Sequence, residues 1–255
     1  MEALIKLEIR KMLFRKRIFI LWAGTLFLNF TSIRDILIVE TYAEIFSKAY
    51  ALVPLMGLMM FMMFSGAYTL EYGSNMSGLM RTTKNGDRAI VFAKGIAAGI
   101  SASIINLSVF LTLCLSALTK FKFSGLDLPL KNLWYFGNSG SNITVLQMIL
   151  IMIVTITIGS FLFAQIGLFL SSISKSAAVP FIFGGIIMGL PYILDNFFHQ
   201  VSKQYLGSMP LWGMMSCQLI RYKVSPITQV ILILTFVAGL LLLPKFTLKA
   251  FTKEQ

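Results

Sequence analysis

Long apolar runs alternate with short polar breaks along the chain. Residues 49–70, 95–119, 145–170, 176–194 and 224–244 contain no charged side chain. Each is close to the roughly 20 residues that cross a bilayer's hydrocarbon as a helix. An earlier stretch is charge-free over 18–33, and Arg34 and Asp35 then interrupt before 36–39. It predicts a helix over about 18–38 with its outer end at headgroup level. The alternative for that stretch is a cleaved signal peptide, because 18–30 resembles an h-region. Against it, no A-x-A-like site follows and the basic head is long. The pattern therefore predicts an all-α integral membrane protein with six transmembrane helices. The spans fall at about 18–38, 49–70, 90–119, 145–170, 176–194 and 224–244, in one domain over 1–255 with no internal repeat or low-complexity linker.

Composition sharpens this class. Hydrophobic residues make up 57% of the 255 and charged residues 13%, against about 25% charged in soluble domains. The polar surface is too small to coat a globule in water. A soluble enzyme, a nucleic-acid binder and a disordered tail are all disfavoured. Cys114 and Cys217 cannot build a disulfide scaffold or a zinc site. His199 is the single histidine, so the usual metal clusters are absent too.

The net charge of +12 reports topology. With the N-terminus inside, six Lys and Arg precede the first span. Four more (Arg81, Lys84, Arg88, Lys94) fall in the second connection, Lys175 in the fourth, and Lys245, Lys249 and Lys253 at the tail. Fourteen of the 22 basic residues are then inside, and the ten acidic residues split evenly. The positive-inside rule gives N-in and C-in, a multi-pass cell-membrane protein with both termini cytoplasmic. No support remains for a nucleic-acid partner. The outer connections, about 39–48, 120–144 and 195–223, differ in length. The two long ones carry Pro129, Pro210, Trp134 and Trp212, which predicts short interfacial or re-entrant helices.

Missing motifs narrow the function. There is no phosphate loop for ATP. The charge-free spans offer no ionisable group at the midplane to carry a proton or cation. No stretch reads as a selectivity filter. Gly137-Asn138-Ser139-Gly140 resembles the G-x-S-G turn of rhomboid proteases. Its needed histidine is missing from the spans, since His199 falls in an outer loop, and a simple turn is the plainer reading. The expectation is a chain that is not an enzyme and holds no cofactor of its own.

Three features could carry function. Residues 1–17 read as an interfacial helix, with Ile5, Ile9 and Met12 on one stripe and Lys6, Arg10 and Arg17 on another. It is either a topogenic anchor or an elbow that transmits motion. The inner connection, 71–89, is the second. Glu71 ends span two. Ser74–Arg81 can form a short helix that offers Met76, Leu79 and Met80 together, Asn85-Gly86 is a turn, and Asp87 can cap the next helix. Arg81, Lys84 and Arg88 surround this apolar knob. The arrangement suits docking in a soluble partner's groove; the plain alternative is a solvated loop. The third is a set of small and soft residues. Gly95, Gly99 and Ser103 in span three, and Gly185 and Gly189 in span five, permit close helix contacts, either within the chain or at a dimer seam. Met56, Met59, Met60 and Met63 in span two could line a path for variable apolar ligands or simply pack. Pro191 is expected to unwind the outer end of span five.

Taken together, the basic head helix, six spans, Glu71 closing span two, Gly78-Leu79, Arg88 and Lys94 resemble the permease subunit of type-2 ABC exporters. The likeness extends over nearly the whole chain through its topology. The family usually has a proline just before the arginine, where this chain has Thr82-Thr83-Lys84. The chain's size is similar to that of small bacterial two-gene exporters, including those for bacteriocin self-protection and for staphylococcal phenol-soluble modulins. The resemblance implies a coupling helix formed by Glu71, Met76, Gly78, Leu79, Met80, Arg81, Lys84 and Arg88, seated on an ABC ATPase subunit present in two copies that binds ATP and Mg. It also implies a second permease copy or a related permease, and alternating access for amphipathic peptides or other hydrophobic cargo. The competing reading is a non-transport membrane sensor or assembly module.

Overall fold

Apolar length decides most of the elements. The computed structural model describes residues 1–33, 37–68, 86–174, 176–197 and 202–253. Among them the order is α1 (Glu2–Leu13), α2 (Lys16–Ser32), α3 (Ile38–Ala51), α4 (Val53–Phe64), α5 (Gly86–Lys120), α6 (Val145–Ser172), α7 (Ala178–Phe197), α8 (Lys203–Gly207), α9 (Pro210–Met214), α10 (Cys217–Arg221) and α11 (Pro226–Lys253), with two 3-10 turns at Leu130–Asn132 and Trp134–Ser139. The only β pairing among the described residues is an isolated bridge between Pro129 and Thr144. The protein is an all-helical membrane protein. Among the described residues four helices (α5, α6, α7 and α11) are long and apolar enough to cross a bilayer, or five if the bent pair α3–α4 is one span.

Expected boundaries shift in four places. Span one ends early: α2 has 17 residues and stops at Ser32, about 25 Å of helix. Near its end the Thr31 and Ser32 hydroxyls turn back onto the carbonyls of Phe27, Leu28 and Asn29. Residues 39–48, expected as an outer loop, are helical as α3. That helix meets α4 at a 41° bend. The cause is local, because Pro54 brings no N–H to the ladder and its ring crowds the carbonyl four residues back. Pro191, expected to unwind span five, instead sits inside α7, which runs on to Phe197. Finally, α11 continues past residue 244 to Lys253.

α5 is the hub. It packs against α1, α2, α3, α4, α6 and α11, and 61% of its spanning window is buried, against 11% for α11. Polar side chains bind it to its neighbours inside the apolar layer. From α2, Trp22 Nε1 donates to Ser108 Oγ (2.7 Å) and Asn29 Nδ2 to the Val109 carbonyl (3.3 Å). Ser116 Oγ returns a bond to the Phe30 carbonyl (2.8 Å). Toward α6, Asn106 Nδ2 donates to Ser160 Oγ (2.8 Å). α6 itself starts with a capping box, in which Thr144 and Gln147 satisfy each other's backbone N–H groups.

The connections at 120–144 and 202–223 fold into short helical turns packed on the helices. Leu130, Leu133 and Phe136 of the first are buried, and Phe136 meets Phe46 edge-on. The second forms α8, α9 and α10. Trp212 stacks on Tyr222 with ring centroids 5.2 Å apart, and its indole donates to Tyr50 Oη.

Candidate functional site

The head helix α1 places Glu2 in its first turn and Arg10 and Lys11 in its last, the charge order that a helix dipole favours. Its inner face buries Glu8, Met12 and Leu13. Lys6, Arg10 and Arg17 are exposed, and Lys6 pairs with Glu2 at 2.8 Å. These basic side chains therefore point away from the core.

Glu8 is the unexpected residue. Its carboxylate meets Lys94 of α5 at 3.1 Å, and the two side chains are 7% and 3% exposed. Lys11 closes on the other carboxylate oxygen at 3.0 Å. The Lys94 ammonium also donates to the Ala67 carbonyl, just past α4, at 3.0 Å, and lies 5.5 Å from the Tyr68 ring centroid. Tyr68 packs on Phe251 near the end of α11 (5.2 Å), and its backbone N–H donates to Ser171 Oγ of α6 (3.3 Å). One buried charge cluster thus joins the head helix to the ends of four other helices. Burial raises the Glu8 carboxyl, but Lys94 and Lys11 outweigh it and hold the group below its ordinary value.

The segment that leaves this junction at Tyr68 carries the expected docking element. Glu71, Met76, Gly78, Leu79, Met80, Arg81 and Lys84 all lie outside the described residues, as do His199 and the side chain of Asp87. Arg88 is described and exposed on the first turn of α5.

The two glycine sets separate clearly. Gly95 faces the Gln165 amide, a Cβ on Gly99 would overlap the Phe161 ring, and Ser103 Oγ lies 3.5 Å from the Thr157 carbonyl. This set packs α5 on α6 within the chain. Gly185 and Gly189 have nothing within 4 Å of a Cβ. They face a groove of about 280 Å³ between α4 and α7. Met56, Met59, Met60 and Met63 are wholly buried in the core. Ser139 accepts a bond from the Ser141 N–H at 3.2 Å inside a turn capped by left-handed Gly140.

The sequence marks Lys94 as a basic residue of the second connection and of the family resemblance, and gives Glu8 no role. The available signal was an acid among the apolar positions of a basic head helix. Among the described residues, no three His, Cys, Asp or Glu side chains gather as a metal site. No family model, curated protein or solved structure matches the chain.

Proposed function

We propose that this chain is the membrane-spanning permease subunit of an ATP-driven exporter. In this reading α2 serves as the first of six spans, both termini are cytoplasmic, and the protein resides in the cell membrane. Two ABC ATPase subunits, holding ATP and Mg, press on residues 71–89 and on α1. Closure of the ATPases shifts the spans from inward to outward access, a motor elsewhere biasing a two-state membrane element. A second permease copy or a related permease completes the pathway, and the open stripe at Gly185 and Gly189 supplies a contact face for it. The cargo is an amphipathic peptide or another hydrophobic molecule, in keeping with spans that carry no charged side chain over 95–119, 145–170, 176–194 and 224–244.

The observation that carries this reading is the Glu8–Lys94–Ala67 cluster. A basic interfacial helix fastened by a buried ion pair to the start of α5, beside the point where 69–85 departs, is arranged to pass a push from that segment into several spans. A topogenic anchor alone needs no such link.

The test is capture of the motor. The Leu79→Asp/Met80→Asp variant should insert normally and lose co-purification of an ATPase subunit. Unchanged capture would remove residues 71–89 from the docking role, and native complexes free of any ATPase would favour a sensor or assembly module. Thiol labelling checks sidedness. Both native cysteines are buried, so Lys84→Cys should react only with a permeant reagent and Asn132→Cys with an impermeant one.

A further inference from the structure

The head helix carries apolar side chains on two faces. Ile9, Met12 and Leu13 pack into the core, on the side that meets α5 through Glu8 and Lys94. On the other side Leu7 is 49% exposed and Phe14, the residue that ends the helix, 69%. We propose that this outer face binds an anionic phospholipid surface, with Leu7 and Phe14 set among the acyl chains and Arg10, Lys16 and Arg17 on the headgroups. The assignment does not depend on the exporter reading.

Helical spacing assembles the face. At about 100° per residue, Leu7, Arg10 and Phe14 fall within about 60° of one another, with Lys6 and Lys11 on the two flanks. All five side chains are exposed. The stripe that the sequence suggests for a membrane surface, Ile5, Ile9 and Met12, turns the other way: Met12 is buried and Ile9 packs on the core. The stripe left for a surface outside the chain is therefore a different one, and only the fold reveals it.

Charge makes the occupant anionic. No acidic residue occurs from 9 to 34, and five basic ones fall between 10 and 17. Lys6 is paired with Glu2 and Lys11 with Glu8. Arg10, Lys16 and Arg17 are exposed and form no ion pair among the described residues. Each basic residue at a membrane surface enriches anionic lipid about fivefold. Positive charge alone is enough to orient a chain; exposed Leu7 and Phe14 add nothing to that role and call for an occupant that joins charge to hydrocarbon. Phe14 lies two residues before α2, which exposes Phe19, Ile20, Phe27 and Leu28. A bilayer covers both stretches, with acyl chains on the apolar side chains and headgroups on the cations between them. A soluble acidic partner would meet the cations and leave the flank of α2 uncovered.

The experiment places a bimane fluorophore on Leu7→Cys in the full chain, whose two native cysteines are buried. Ala3→Cys, on the same exposed side, serves should the first variant not fold. The protein is held in phosphatidylcholine nanodiscs that contain a small fraction of either phosphatidylglycerol or phosphatidylcholine with brominated acyl chains as quencher. Quenching by the brominated phosphatidylglycerol should exceed that by the brominated phosphatidylcholine about fivefold. Raised salt should remove the excess, and Arg10→Gln/Lys16→Gln should at least halve it. The same label on Leu146→Cys, exposed at the start of the uncharged helix α6, should be quenched equally by the two lipids. Equal quenching at position 7 would overturn the proposal. So would an excess that salt leaves unchanged, the same excess at position 146, or no quenching by either lipid, the result expected of a face turned to water or to a protein.

Discussion

α5 and α7 carry the same sequence device and use it differently. Each has glycines four residues apart in an apolar helix. On α5 the notch is filled from within the chain by Gln165 and Phe161, and 61% of its spanning window is buried. On α7 the notch at Gly185 and Gly189 is vacant, and 22% is buried. The neighbouring Gly184 of α7 is filled, by Phe61 of α4. Small-residue spacing marks where backbones can approach. Which backbone arrives is a property of the whole fold. Polar content follows the same division: α5 buries Lys94, Ser103, Asn106 and Ser116, whereas α7 buries only Asp195 near its C-terminal end.

The contrast can be broken most forcefully at Lys94. Lys94→Met leaves the buried Glu8 carboxylate without its main partner, which should cost about 3–5 kcal/mol of stability in detergent. Glu8→Met combined with Lys94→Met should restore most of the loss, since an apolar pair of similar size is often neutral. If the cluster also transmits force, the double variant will be stable yet slow in ATP-driven transport, which separates coupling from folding.

Next in size is the filled notch. Gly99→Leu should cost about 1–3 kcal/mol through overpacking against Phe161, seen as a lower unfolding temperature. Gly185→Leu should change stability by under about 0.5 kcal/mol, as expected for an open position. It should nevertheless reduce self-association, read by single-molecule photobleaching in bilayers. Equal stability losses at 99 and 185 would erase the distinction between the two stripes.

The smallest effect is on pH. The Glu8 carboxyl is depressed when folded. Its contribution to stability is present in full above the ordinary carboxylate value, about 4.3, and is lost as the pH falls through the lower folded value. Glu8→Gln should flatten stability across that acid window. An unchanged acid profile would remove the pair from the account of α5.

The apolar runs reveal the helical membrane class, because hydrocarbon length is a local property. They also locate α5, α6 and α7 to within a few residues at most of their ends. The end of α2 at Ser32 and the helical state of 39–48 are not marked by the apolar runs, since Glu40, Glu44 and Lys48 interrupt the second stretch. Glu8 and Lys94 lie 86 residues apart, and no spacing rule joins them. The span-two methionines read as packing or as path, and they are buried among neighbouring helices. Gln147 is the partner of Thr144 in the α6 capping box, which the Thr144-x-x-Gln147 spacing reveals.

α11 has 28 residues, about 42 Å at 1.5 Å per residue, while the hydrocarbon layer is about 30 Å deep. In a bilayer the excess would lean or protrude, and the exposed Lys245 and Lys249 are the side chains of that end suited to headgroups. Phe251 rides on that end against Tyr68. A thicker or thinner bilayer would alter the lean of this helix, and so would tug on the ring contact beside the Glu8–Lys94 pair.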